Sequence, residues 1–198
     1  MTAPHDKWTT LPHGTLTAVD DSILTVTGTV KMPVGNFERR MTVVRLTDGK
    51  GVIYSPIALD EAQMRSLEEF AKSAFLIIPG SHHRVDAKIW KERYPAAKVI
   101  SAQGARQAVE EVVPVDTTAP DFGDQYVSFF TVPGTSMDEA ALTASSASGV
   151  TLILNDILAN VQNAKGINGL VAWAFGFSGK PPQIPLPDKL SKLTTKPR

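Results

Sequence analysis

The sequence predicts an α/β fold in which two mixed β-sheets pack face to face and helices cover the outer faces, a four-layer αβ/βα sandwich. Two observations support this prediction. Strand and helix patterns alternate through the middle of the chain, and strand-rich sections lie both at its start and after residue 125. Each half therefore opens with strands and closes with helices that need a sheet to cover, and two facing sheets satisfy both halves.

The first quarter of the chain has the pattern of an antiparallel meander. β-branched and polar residues alternate over 14–32 around an acidic pair, which is typical of a β-hairpin. A third strand is predicted over 40–47, and Asp48-Gly49 then marks a tight turn into a fourth strand over 51–55. These four strands are expected to pair in sequence order.

The pattern changes to helical spacing after residue 55. Apolar residues recur at helical intervals over 59–70, and Asp60 with Gln63 three residues later can cap the helix. Strand and helix then alternate: a strand over 74–78, a helix over 82–94, a strand over 97–101 and a helix over 105–111. This alternation predicts parallel strands with helices on a sheet face.

The second half is predicted to contain three more strands, followed by helical residues. The strands are expected over 125–132, 139–144 and 150–154, and the helical pattern over 157–177. We expect one domain over 1–198, because a second core would leave each half small. Its two ends are an irregular lead-in over 1–13 and a proline-rich basic tail over 179–198, and the tail is a candidate homodimer contact.

Composition excludes several classes of function. The 198 residues contain 20 Lys and Arg against 20 Asp and Glu, so no overall positive charge attracts nucleic acid. There is no cysteine, which excludes disulfides and thiolate zinc ligands and fits a reducing cytoplasm. No stretch approaches the roughly 18 apolar residues of a membrane span. We therefore expect a cytoplasmic protein that binds neither nucleic acid nor membrane.

The clearest candidate site lies in the stretch 75–101, where an apolar strand ends in a Pro-Gly loop. His82 and His83 follow that loop, with Arg84 and Asp86 close behind. Imidazole and carboxylate groups are ligands of zinc and iron, so these residues could form part of a metal site. The alternative interpretation is a helix N-terminus with a polar cap and an Arg–Asp pair.

Three stretches of the chain resemble the metallo-β-lactamase fold superfamily: RMTVVRLTDGKGVIYSPIAL, FLIIPGSHHRVDAKIW and VTLILNDIL. The resemblance is closer to a little-characterised branch that carries H-R-x-D-A, then a Trp and a Tyr-Pro. The matching residues here are His83, Arg84, Asp86, Ala87, Trp90 and Tyr94-Pro95. The resemblance implies the fold over about residues 14–175 and, in the superfamily generally, a zinc-dependent hydrolase.

The chain departs from the superfamily's metal-binding pattern at several positions. Metal-binding members carry T-H-x-H-x-D-H after that strand, and on this pattern His82 matches the first histidine and Asp86 the aspartate. Arg84 and Ala87 occupy two histidine positions, while Asp156 matches a bridging aspartate. A further difference is that the four histidines, His5, His13, His82 and His83, all precede residue 84, and the later ligand position offers Thr135, Ser136 and Asp138. A dinuclear zinc site is therefore not expected.

Two functions follow from this resemblance as hypotheses. In the first, the site has lost its metal and binds a small molecule or nothing, and Arg84 lies between the carboxylates of Asp86 and Asp156 in place of a cation. In the second, a hydrolase keeps a single divalent metal, most reasonably zinc, on His82 or His83 with Asp86 and Asp156. The candidate catalytic residues are His83, Arg84 and Asp86. A third option is a metal-free hydrolase with His83 as the general base.

Overall fold

The structure, a computed structural model, describes residues 2–32 and 35–158. The described residues contain nine strands and three helices. In chain order these are β1 (Thr17–Asp20), β2 (Ile23–Met32), β3 (Gly35–Arg45), β4 (Lys50–Tyr54), α1 (Glu61–Phe70), β5 (Lys72–Ile78), α2 (Ala87–Arg93), β6 (Lys98–Ser101), α3 (Arg106–Glu110), β7 (Val127–Thr131), β8 (Ala140–Ser146) and β9 (Gly149–Ile153).

The first sheet has six strands in the order β1-β2-β3-β4-β5-β6. The first four strands pair antiparallel, and β4, β5 and β6 pair parallel. The meander and the parallel pairing predicted from the sequence are both confirmed. Asp60 caps α1 as predicted, because its side chain accepts a hydrogen bond from the Gln63 backbone N–H at 2.8 Å.

The helix predicted over 82–94 begins later than expected. Residues 81–86 form turns, in which the His83 N–H donates to the Gly80 carbonyl and the Ala87 N–H to the Arg84 carbonyl, both at 3.2 Å. The helix α2 starts at Ala87, after Asp86 as its N-cap residue. The histidine pair therefore lies in a loop, not on the helix.

Alternation along the central strands divides the interior into two cores. Val43, Ile53 and Leu76 point toward the three helices, where they pack with buried residues such as Trp90. Their neighbours in sequence point the other way, toward the second sheet, and this second core contains Val44, Val52, Tyr54, Phe75, Ile77, Leu142 and Ile153. Because side chains alternate along a strand, one six-stranded sheet serves both layers.

The second sheet has the order β7-β8-β9, and all of its described pairings are antiparallel. The two-sheet sandwich predicted from the sequence is confirmed, with helices on the outer face of the first sheet. The helical segment predicted over 157–177 extends beyond the described residues, and the tail over 179–198 lies wholly outside them. None of the helices described is long and apolar enough to span a membrane.

The lead-in before residue 14 packs along the first sheet and the helices. The Thr29 N–H donates to the Pro12 carbonyl at 3.0 Å, which holds the lead-in beside β2. The Trp8 indole N–H donates to the Leu59 carbonyl at 2.9 Å, and its ring lies 5.6 Å from that of Trp90. This segment brings its histidines close to the loops that follow the parallel strands.

Candidate functional site

The candidate site lies at the carboxyl ends of β4 and β5, where the loops of both sheets meet. Ser55 follows β4, and the loop 79–86 follows β5. The second sheet contacts that loop at two points. The N–H of Ala140, at the start of β8, donates to the Pro79 carbonyl at 2.8 Å, and the Ser81 hydroxyl donates to Asp138, in the connection between β7 and β8, at 3.1 Å. Loops at this end of parallel strands are the usual place for ligand binding in α/β proteins.

His83 connects Ser55 and Asp156, and we call these three residues the His83 site. The imidazole Nε2 lies 2.8 Å from Asp156 Oδ2, and Nδ1 lies 3.3 Å from Ser55 Oγ. Exposure to solvent increases from Ser55 through His83 to Asp156. Ser55 is 2% exposed, the His83 side chain 14% and the Asp156 side chain 44%. The sequence-predicted residues His83 and Asp156 are thus brought together, with the aspartate toward solvent.

Ser55 has an unusual backbone conformation for a serine. Its φ of 56° lies in the left-handed region, which costs a residue with a Cβ about 1–3 kcal/mol. Its N–H donates to the Ile77 carbonyl at 2.9 Å, so the residue continues the β4–β5 pairing by one bond. Strained conformations of this kind persist where the surrounding structure holds them. At Ser55 the conformation turns the chain from the end of β4 into Pro56.

Tyr54 lies in the second core directly beside this site. Its hydroxyl is buried and donates to the Ala140 carbonyl at 2.7 Å. Burial raises the pKa of the Tyr54 phenol well above its ordinary value, and the negative charges of Glu139 and Asp156 raise it further. The phenol therefore serves as a neutral hydrogen-bond donor.

Asp86 belongs to a separate group, the Asp86 cluster, which comprises Asp86, Arg39 and His5. The carboxylate is fully buried and forms an ion pair with the Arg39 guanidinium. It also lies 2.7 Å from His5 Nδ1 and accepts a hydrogen bond from the Ala58 N–H at 3.3 Å. A buried carboxylate needs such partners, because burying an unpaired charge costs several kcal/mol.

Arg84 points away from both aspartates that were considered its partners. Its Nη1 lies 2.5 Å from Glu111 Oε2 and also donates to the carbonyl of Ala108 in α3. The interpretation that Arg84 lies between Asp86 and Asp156 is therefore wrong. Arg39 pairs with Asp86 instead, because β3 extends far enough to carry its guanidinium to the start of α2.

The donor groups of the described residues do not fit a zinc ion. Both ring nitrogens of His83 already have protein partners, Asp86 is engaged by Arg39 and His5, and His82 is exposed. Within residues 2–32 and 35–158, no three His, Asp or Glu side chains are arranged so that they could hold a metal ion. Zinc in proteins usually takes at least three protein ligands.

Three of the residues at these sites, Ser55, Arg39 and His5, were not predicted from the sequence. Ser55 directly follows β4, next to the strand that leads to His83, and adjacency of parallel strands could have indicated it. Arg39 lies two and four residues before Met41 and Val43 in β3, so the three side chains point to the same face of the strand. Met41 and Val43 are buried on this face, against the helices. A charged residue on a buried face needs a partner of opposite charge, and this requirement could have indicated an ion pair for Arg39.

The strand order, the two sheets and the outer helices define this chain as a protein of the metallo-β-lactamase fold. Similar solved structures include DIM-1 metallo-β-lactamase exposed to ceftazidime (12% identity, TM-score 0.60, 83% of this chain and 81% of that one). A second structure of DIM-1 metallo-β-lactamase has 13% identity, a TM-score of 0.58 and coverage of 82% and 81%.

TMB-1, described for the role of two of its residues in substrate and inhibitor binding, has 12% identity, a TM-score of 0.55 and coverage of 80% and 78%. At these identities the likeness shows the fold alone. No family model and no curated protein matches the sequence. The proposed branch with H-R-x-D-A therefore stays a prediction.

Proposed function

We propose that the protein binds a small molecule at the His83 site and does so without a zinc cofactor. The observation that carries the proposal is the engagement of the expected metal-binding groups by other protein groups. Asp86 forms an ion pair with Arg39 and a hydrogen bond with His5, and both nitrogens of His83 are hydrogen-bonded to protein. A metal would have to displace these contacts before it could bind.

The position and polarity of the His83 site support ligand binding there. His83 and Asp156 are partly exposed, they lie at the loop end of the sheets, and they can donate and accept hydrogen bonds. DIM-1 is a metallo-β-lactamase and TMB-1 is described for substrate and inhibitor binding, so similar structures act on small molecules. A small polar molecule is accordingly the class of ligand that we propose.

The alternative function is a hydrolase with one metal on His82 or His83, Asp86 and Asp156. It is favoured by the short distance between His83 and Asp156, since both are metal-ligand types. It requires Asp86 to leave Arg39 and His5. The two functions differ in a quantity that can be measured directly, the amount of bound metal.

Elemental analysis of zinc, iron and manganese tests this difference on protein purified without an affinity tag or chelator. We expect metal well below one equivalent, and no increase in Tm when zinc is added, because a ligand that binds the native state must stabilise it. Near-stoichiometric metal that is lost in Asp156→Ala would overturn the proposal in favour of the metal hydrolase.

Ligand binding is tested by a thermal-shift screen of small polar molecules against the wild type. Molecules that raise Tm are then tested on His83→Gln, with His82→Gln as the matched control, because His82 is exposed in the same loop. We expect the shift to be lost in the first variant and kept in the second. Equal shifts in the wild type and His83→Gln would place the ligand elsewhere.

A further inference from the structure

The direction of the hydrogen bonds at the His83 site follows from their chemistry. A carboxylate only accepts hydrogen bonds, so the bond between Asp156 and a neutral His83 requires the proton on Nε2. Nδ1 then carries a lone pair, and the Ser55 hydroxyl 3.3 Å away must donate to it. The proton of Ser55 thus points at a base whose other nitrogen is held by a carboxylate.

We propose that Ser55 is a nucleophile activated by His83 and Asp156, and that the substrate class is small carboxylic esters. The inference rests on the proposed metal-free site and adds a reaction to it. A serine, a histidine and an aspartate linked in this order are the constellation that activates a hydroxyl for acyl transfer. Here Ser55 contacts Nδ1 and Asp156 contacts Nε2, and either ring nitrogen can act as the base.

The backbone of Ser55 supports a role beyond holding the histidine. Its left-handed φ of 56° is a strained conformation for a serine, and such strain is concentrated at functional sites. Glycine adopts the same conformation without steric strain, so the backbone conformation by itself would favour glycine at this position. The serine hydroxyl is what glycine would lack.

A donor for the developing oxyanion also has to be found. Pro56 has no N–H, and the Ser55 N–H is bonded to the Ile77 carbonyl, so the backbone beside the nucleophile offers no donor. Asn155 directly precedes Asp156, and its amide Nδ2 is buried without a hydrogen-bond partner among the described residues. An unmatched buried donor is costly, and a substrate carbonyl oxygen could accept from it.

The reaction proceeds in two balanced steps. Ser55 Oγ attacks the ester carbonyl carbon while its proton moves to His83 Nδ1, and collapse of the tetrahedral intermediate breaks the ester C–O bond. The proton from Nδ1 goes to the leaving alkoxide, which gives an alcohol and an acyl-Ser55. Water, deprotonated by the same nitrogen, then hydrolyses the acyl group, which releases a carboxylic acid and restores the Ser55 hydroxyl.

The burial of Ser55 limits the size of the acyl group. Ser55 is 2% exposed, whereas His83 and Asp156, which are linked to it by hydrogen bonds, are partly exposed. The probe should therefore be small. p-Nitrophenyl acetate meets this need, since it transfers a two-carbon acyl group and releases a coloured product.

The test is acetylation of the full chain by p-nitrophenyl acetate, followed by peptide mapping by mass spectrometry. We expect acetyl on Ser55 in the wild type and in Ser81→Ala, a matched control from the neighbouring loop. Ser55→Gly, which suits the left-handed φ and should keep or raise Tm, is expected to lose both acetylation at residue 55 and nitrophenol release. His83→Gln should slow release about 10²–10⁴-fold, the usual contribution of a general base.

The outcomes separate this inference from the proposed function. A folded, metal-free wild type without acetyl on Ser55, or with release unchanged in Ser55→Gly, overturns the nucleophile and leaves the metal-free binding site standing. Near-stoichiometric bound metal overturns the proposed function, and the inference with it. If Ser55→Gly has a lowered Tm, the acylation step is tested instead by nitrophenol release in Ser55→Ala and in His83→Gln, which should both be slower than the wild type.

Discussion

Replacing Asp86 by Asn should destabilise the protein strongly, because the change leaves the Arg39 guanidinium buried without a counter-charge. Asp86 is 0% exposed and the Arg39 side chain only 9%. Removing one partner of a buried ion pair typically costs about 3–5 kcal/mol. Domains have free energies of unfolding of about 5–15 kcal/mol, so this loss is a large fraction of the total.

The assay is urea unfolding followed by circular dichroism. With an m value of about 2 kcal/mol per molar urea, a loss of about 4 kcal/mol lowers the midpoint by about 2 M. A double-mutant cycle with Arg39→Met isolates the pair, and we expect the double variant to be less destabilised than the sum of the two single variants. The neutral methionine removes the orphaned charge that the single variant Asp86→Asn leaves behind.

The control for this cycle is the exposed pair of Arg106 and Glu110 on α3, whose Nε and Oε1 lie 2.8 Å apart. An exposed helical pair of this spacing contributes about 0.3–0.5 kcal/mol. If the Asp86–Arg39 coupling energy were no larger than the coupling of this control pair, the reasoning about burial would be refuted. A loss below about 1 kcal/mol in Asp86→Asn would refute it as well.

Two further predictions concern the loops and core beside the site. In Gly104→Ala the new Cβ would lie 2.7 Å from the Ser136 carbonyl oxygen and 2.8 Å from the Met137 carbonyl carbon. We therefore expect the free energy of unfolding, measured in urea, to fall by about 1–3 kcal/mol. An unchanged midpoint would contradict the close approach of these loops. Tyr54→Phe should cost about 1–2 kcal/mol at pH 7, since the Ala140 carbonyl loses its donor. The Tyr54 pKa is raised, so above its ordinary value of 10.0 only the unfolded chain loses this proton, and wild-type stability falls as pH rises. By pH 11 the deficit of Tyr54→Phe should shrink by about 1 kcal/mol, and a deficit that is the same at both pH values would exclude this pKa shift.

The order of the strands could be predicted from the sequence because local patterns determined it. Period-two alternation identified the meander, and strand–helix alternation identified the parallel strands β4, β5 and β6. The start of α2 was predicted less accurately than the order of the strands. Residues 82–86 include no strong helix breaker, yet the loop forms local hydrogen bonds to the Gly80 and Arg84 carbonyls, and Asp86 is held by the distant residues Arg39 and Ala58.

The partners of the charged residues were harder to predict than the strands. Arg84 and Asp86 are neighbours in sequence, which suggested a pair, but Arg84 contacts Glu111 and Asp86 contacts Arg39. Arg39 lies 47 residues before Asp86, so no local pattern links them. His5, in a segment without a regular pattern, was likewise not connected to the site.

The two groups at the end of β5 explain together why this loop is a poor place for a metal. His83 is directed toward Ser55 and toward Asp156, which follows β9 on the side of the second sheet, whereas Asp86 is directed toward Arg39 and Ala58 on the helix side. One ion would have to draw both side chains to a single point. That movement would break the contacts of Asp86 with Arg39, His5 and Ala58 and would disturb those of His83 with Ser55 and Asp156, and it would leave the Arg39 charge buried without a partner. On the metal-binding pattern that this loop resembles, two histidine positions hold Arg84 and Ala87, so an ion would find few ligands here in exchange for the protein contacts it displaces.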